Sequence, residues 1–81
     1  MKEMVGKYIE MLTPEHIKVF ASSEGVYITD QEVMLIYGTI KEHGLEIING
    51  NTQYILNLED KVSPPVYNKV WELIKRYQAF L

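Results

Sequence analysis

Three helix starts punctuate this chain, and they leave little room for anything but a helical fold. Thr13-Pro14, Thr29 with Glu32 three residues on, and Ser63-Pro64-Pro65 each set a hydroxyl just ahead of a helical run. A Thr or Ser side chain there accepts a hydrogen bond from a free amide of the first turn. Proline fits the first helical position because its missing N–H has no partner to lose. Thr29 and Glu32 form a capping box, in which each side chain serves the other's backbone N–H.

The apolar residues between these starts recur at helical spacing. In residues 2–12, Met4, Val5, Tyr8, Ile9, Met11 and Leu12 share one face, opposite Glu3, Lys7 and Glu10. This predicts an amphipathic helix, weakened by Gly6. A second helix runs from Pro14 through "EHIKVFASSE", with Gly25 placed as its left-handed C′ residue. "VYI" then reads as an extended link packed inward. The third helix is expected from Thr29 to about His43, with Gly44 ending it. Val33, Ile36, Tyr37 and Ile40 lie on one side of it, and Met34 and Leu35 project elsewhere. A helix apolar nearly all round is either central in the fold or covered by a partner. "LEIING" reads as a second extended link, so that helix, glycine, apolar link and cap repeat from Thr13 to Ile28 and from Thr29 to Ile48. "NGNT" (Asn49–Thr52) is a turn and cap cluster. A short helix over roughly 52–60 turns Tyr54, Ile55 and Leu58 inward. The last helix, from Ser63 to about Phe80, sets Val66, Val70, Trp71, Ile74, Tyr77 and Phe80 against Asn68, Lys69, Glu72, Lys75 and Arg76. The expected architecture is all-α: one compact domain over residues 1–81, about five short helices joined by Gly- and Pro-punctuated links.

With 81 residues and no cysteine, packing alone, or packing on a partner, must hold this domain. Its 47% hydrophobic and 23% charged residues are ordinary for a globular chain and argue against disorder. The longest apolar run, Val33–Tyr37, is too short to span a bilayer, and charges interrupt the first dozen residues. The expectation is a cytoplasmic protein with no membrane partner.

The stretch "GVYITDQEVMLIYGTIKEHG" resembles the second half of a helix-turn-helix. In that motif the first residues of the second helix meet base edges. Here they are Asp30, Gln31, Glu32 and Met34, within a segment (residues 19–60) of net charge −6. Phosphates would repel it, so nucleic acid is disfavoured as a partner. Residues 61–81 sum to +3, and Lys69, Lys75 and Arg76 there could touch phosphate, although such charges ordinarily form a solvated helix face.

Metal and cofactor sites are not expected. His16 and His43 lack ligand spacing, and a surface or hydrogen-bonding role suits each. The acids Asp30 and Glu32 belong to no calcium loop, and no glycine-rich phosphate loop exists. Ser22 and Ser23 stand only loosely beside His16, and the Glu42/Glu46 pair near a helix end reads as solvated. So small a chain also has little volume for a water-excluding pocket. The expectation is a protein that is not an enzyme.

The segments "LTPEHIKVFASSEGVYITDQE", "GLEIING" and "VSPPVYNKVWELI" occur in an order that resembles the YqfT-like family of small proteins from Bacillus-type bacteria. The likeness covers roughly residues 12–75 and rests on capping and packing signals. It implies an all-helical cytoplasmic protein and carries no activity or site residue.

What remains is surplus apolar surface. The chain has six tyrosines, one tryptophan and two phenylalanines, and the alternatives for Met34, Leu35, Trp71, Tyr77 and Phe80 are that they fill the core, the commoner outcome for any one of them, or that a thin core leaves some for contact with a partner. The favoured function is therefore a non-enzymatic protein–protein interaction domain, with an unknown protein or a second copy (a homodimer) as partner. Its candidate contact residues are Met34, Leu35, Trp71, Tyr77 and Phe80. The alternative is a small nucleic-acid-associated regulator with a degenerate helix-turn-helix, using the last helix.

Overall fold

The computed structural model describes residues 2–79, with the side chains of 6–76, 78 and 79. Among them are five helices and no strand: α1 (Lys2–Met11), α2 (Pro14–Ser23), α3 (Asp30–Ile48), α4 (Gln53–Leu56) and α5 (Pro64–Gln78). The all-α reading holds.

α3 is the axis of the fold. Its 19 residues span about 28 Å, close to the 30 Å longest dimension of the molecule. The other four helices all pack on it. α1 runs antiparallel to it, with Ile9 against Gly44 and Gly6 near Leu45. α5 runs parallel to it: the Ser63 N–H donates to Glu32 at its start, and Gln78 donates to the Ile47 carbonyl near its end. A central position explains why α3 is apolar nearly all round. Val33, Ile36 and Ile47 are buried, and Leu35 and Ile40 pack on the core.

The expected capping at Thr13 and Thr29 is present and goes further than the sequence suggested. Thr29 Oγ1 accepts from the Glu32 N–H at 3.1 Å, and Glu32 Oε1 accepts from the Thr29 N–H at 2.9 Å. Glu32 Oε2 also accepts from the Ser63 N–H at 2.7 Å, so one carboxylate ties the starts of α3 and α5 together. At Thr13 the box is closed by His16. Its Nδ1 accepts from the Thr13 N–H, and its own N–H donates to Thr13 Oγ1, both at 3.2 Å. An imidazole nitrogen takes the place that a carboxylate usually fills.

Three expectations need correction. Gly44 does not end α3, and "LEIING" is not an extended link: the helix continues to Ile48. The repeat of two helix–link units therefore does not exist. Gly44 is buried, and a Cβ there would stand 2.7 Å from Ile9 Cδ1, so this glycine is a notch that lets α1 approach. The stop comes from Gly50 at φ +111°, where Asn51 N–H donates to Glu46 O and Gly50 N–H to Ile47 O. Gly25, at φ +71°, ends α2 by the same pair of bonds, from Val26 to Ala21 and from Gly25 to Ser22, as expected. The fourth helix is shorter than 52–60. It covers Gln53–Leu56 and gives way to turns, while Ile55 and Leu58 do face inward. Finally, the link "VYI" alternates: Val26 and Ile28 pack on the core, and Tyr27 points to solvent.

Candidate functional site: an apolar groove

Between α1 and α5, on the floor provided by α3, lies a groove of about 460 Å³. α2 closes one end of it. This helix is joined to α1 through Leu12 and Thr13 and reaches α5 through Glu24. The walls are aliphatic and aromatic: Ile9 and Leu12 from α1, Ile17 and Phe20 from α2, Ile36 and Ile40 from α3, Val66, Val70 and Ile74 from α5. Among the described residues lining it, only Tyr8, His16 and Lys69 carry a polar side-chain atom. At its rim on α1, Tyr8 and Met11 are 60% and 70% exposed.

The groove follows from packing geometry. α1 is held by the Gly44 notch and by Lys41, whose Nζ donates to the Ile9 and Glu10 carbonyls at 3.0 and 2.7 Å. Both carbonyls belong to α1's last turn, where that of Ile9 also accepts from the Leu12 N–H at 3.2 Å, so Lys41 acts as its C-terminal cap. α5 is held by its own buried stripe, Val66, Val70 and Ile74, on the far flank of α3. α1 and α5 are each anchored to α3, and among the described residues no side chain fills the space between them.

An ion cluster guards the α2–α5 junction. Glu24 lies 3.4 Å from Lys69 and 3.5 Å from Arg76, and Glu72 lies 2.9 and 3.7 Å from the same two cations. The hydrogen bond to Glu72 holds Lys69 protonated above the usual lysine range, and Lys69 in turn holds the Glu72 carboxyl below the usual range. Lys69 and Arg76 thus spend their charge inside the fold. Of the α5 strip considered for phosphate contact, Lys75 alone is in no ion pair among the described residues.

A second polar cluster fastens α4 to α3. The His43 and Tyr54 rings stack at 3.7 Å and 5°. The Tyr54 hydroxyl donates to Glu46 Oε2 at 3.1 Å, and His43 Nδ1 lies 3.5 Å from Glu46 Oε1. The bond to Glu46 pushes the Tyr54 phenol above its ordinary pKa, which opposes formation of a tyrosinate base. Among the described residues no group of three His, Asp or Glu is placed to hold a metal ion, and no helix is long and apolar enough to cross a membrane.

The contact residues expected from sequence do not converge on the groove. Met34 is 54% exposed but lies outside it. Leu35 and Trp71 are half-buried against the core, with Trp71 edge-on to Tyr67 at 6.3 Å. The side chain of Tyr77 and all of Phe80 lie outside the described residues. The residues missed were Tyr8 and Met11. Their signal was the width of the apolar face on residues 2–12, broader than one neighbouring helix covers.

No protein-family model, curated protein or solved structure matches this chain.

Proposed function

We propose that this chain is a non-enzymatic protein-interaction domain whose binding element is the groove between α1 and α5. The observation that carries this reading is the chemistry of its walls. Aliphatic walls offer almost no hydrogen-bond partners, so they reward an apolar surface and cannot orient a polar substrate. Exposed Tyr8 and Met11 at the rim extend the apolar area outward, and aromatic and methionine side chains are enriched at protein contacts. Charge supports a protein over a nucleic acid, because Lys69 and Arg76 are neutralised by Glu24 and Glu72. Membership of the YqfT-like family, and a cytoplasmic setting, belong to the same proposal.

The test is site-specific photo-crosslinking in the native host. A photoreactive phenylalanine analogue placed at Tyr8 is expected to capture protein, in adducts that survive nuclease treatment. The same group at exposed Asp60, outside the groove, is expected to capture none. Equal capture from both positions, or adducts that vanish with nuclease, would overturn the reading.

A further inference from the structure

We propose that the turn ending α3 is a self-modification site, where Asn49 deamidates through attack by the Gly50 nitrogen whenever that turn opens. Asn-Gly occurs once in the chain. The other asparagines, Asn51, Asn57 and Asn68, precede Thr52, Leu58 and Lys69, whose side chains crowd the backbone nitrogen that would attack. Glycine leaves that nitrogen unshielded. Asn51 and Asn57 also engage their side-chain oxygens, which accept from the Gln53 N–H at 3.4 Å and from Gln53 Nε2 at 2.9 Å, and Asn68 lies inside α5. Asn49 and Gly50 are both exposed, so water reaches the pair.

The step balances within the chain. The Gly50 nitrogen bonds to Asn49 Cγ, the Cγ–Nδ2 bond breaks, and the Gly50 amide proton leaves with Nδ2 as ammonia. Nothing is oxidised or reduced. Water then opens the cyclic imide at either carbonyl, giving aspartate, or isoaspartate with an extra methylene in the main chain. The folded turn restrains the reaction. Asn49 sits at ψ 4°, which directs the Gly50 N–H to the Ile47 carbonyl at 3.0 Å and away from Asn49 Cγ. The Asn51 N–H, donating to Glu46 O at 2.9 Å, closes the same turn. These two bonds are the gate, and they lie at an exposed helix end, which opens far more often than a core does. Hydrolysis places a new negative charge at the negative end of the α3 dipole, where the last turn holds no basic residue. The longer isoaspartate backbone also shifts Gly50 out of register with Ile47, whose carbonyl accepts from Gln78 of α5 as well. The reaction therefore loosens the end of α3 on which α5 is fastened.

Ageing the purified chain in mildly alkaline buffer, folded and in denaturant, tests this by peptide mass spectrometry. In residues 42–61, which trypsin releases by cutting after Lys41 and Lys61, the mass gain from NH2 replaced by OH should map to position 49, chiefly as isoaspartate. The folded chain should react roughly ten- to a hundredfold more slowly than the unfolded one. Asn49→Gln should abolish the gain in both. In the separated isoaspartate form, the amides of Gly50 and Asn51 should exchange faster than in an Asn49→Asp chain, which carries the charge without the longer backbone. Reaction first at Asn51 or Asn57 would overturn the proposal. So would equal rates in the folded and unfolded chains, or no detectable product in the folded chain once the unfolded sample has converted. An isoaspartate form whose amides exchange no faster would overturn the loosening of α3.

Discussion

The two halves of this molecule are built from similar residues and finished differently. On the α3–α4–α5 side the apolar side chains close on one another: Ile36, Ile47, Ile55, Leu58, Val62, Val66, Val70 and Ile74 form one buried cluster. On the α1–α2 side, among the described residues, only Ala21 is buried, and Ile9, Leu12, Ile17 and Phe20 form the near wall of a groove whose opposite wall is the edge of that same cluster, at Ile36, Val66, Val70 and Ile74. Hydrophobicity does not separate the halves. What separates them is whether a third element arrives to cover the pair. α4 and the turn after it close the first side, and nothing in the described chain closes the second. Stability should therefore reside in one half and recognition in the other.

The largest expected effect tests that division. Ile55 is 0% exposed, and Ile55→Ala should cost about 3–4 kcal/mol, a large part of the ~4–12 kcal/mol expected of a domain this size. Phe20→Ala removes a bigger side chain, but one already open to the groove, and should cost about 1 kcal/mol. Urea unfolding with both variants measures the contrast. Equal losses would mean that the groove is part of the stabilising core, and the division would fail.

Gly44 gives a smaller effect with a sharper logic. Alanine in a helix interior is worth up to about 1 kcal/mol over glycine, yet here its methyl would meet Ile9 Cδ1 at 2.7 Å. Gly44→Ala should therefore leave global stability nearly unchanged while speeding amide exchange in α1. In an Ile9→Ala background the clash disappears, and the same substitution should stabilise by about 0.5–1 kcal/mol. A stabilising Gly44→Ala in the unaltered chain would show that α1 docks without the notch.

The sequence disclosed elements well and relations poorly. The caps at Thr13 and Thr29, the helix start at Ser63-Pro64 and the C′ glycine at position 25 are local chemistry, decided within four or five residues, and each lies where expected. Gly44 was misread because "HGLEIING" offers two glycines, and only tertiary contact with Ile9 distinguishes a notch from a stop. The continuing period Ile40, Gly44, Ile47, Ile48 was the available clue. The groove was invisible because it depends on which helices meet. Hydrophobic spacing identifies an apolar face on α1 without saying how much of it α3 will cover. Met34 and Leu35 show the same limit: their spacing is similar, but one stands exposed and the other leans on the core.

Glu32 joins the two α-helix starts on the closed side, and its effect depends on pH. Burial pushes its carboxyl upward, but hydrogen bonds from Thr29 and Ser63 outweigh this and hold it below the ordinary value. A carboxyl lowered in the folded state contributes stability above its unfolded pKa and loses it as pH falls through the folded one. Glu32→Gln keeps the shape and one acceptor oxygen but loses the other, and at neutral pH should cost about 1–2 kcal/mol. Acidification to about pH 3 should narrow the gap between the two proteins. Parallel unfolding curves at every pH would mean that the Ser63 bond contributes nothing.

The smallest effect belongs to the ion cluster at the open side. Glu24→Gln removes the carboxylate that ties the end of α2 to Lys69 and Arg76. The cations keep Glu72 and partial access to water, so the global unfolding midpoint should not move measurably. α2 packs chiefly on α3, and its far end reaches α5 through this cluster. Freed there, its amides should exchange faster than those of α5. Added salt screens the same attraction, so the difference between the Glu24→Gln variant and the unaltered chain should shrink as ionic strength rises. If exchange in α2 is instead unchanged at low salt, the apolar contacts of Ile17 and Phe20 alone fix that helix, and the groove's closed end is as rigid as the core opposite.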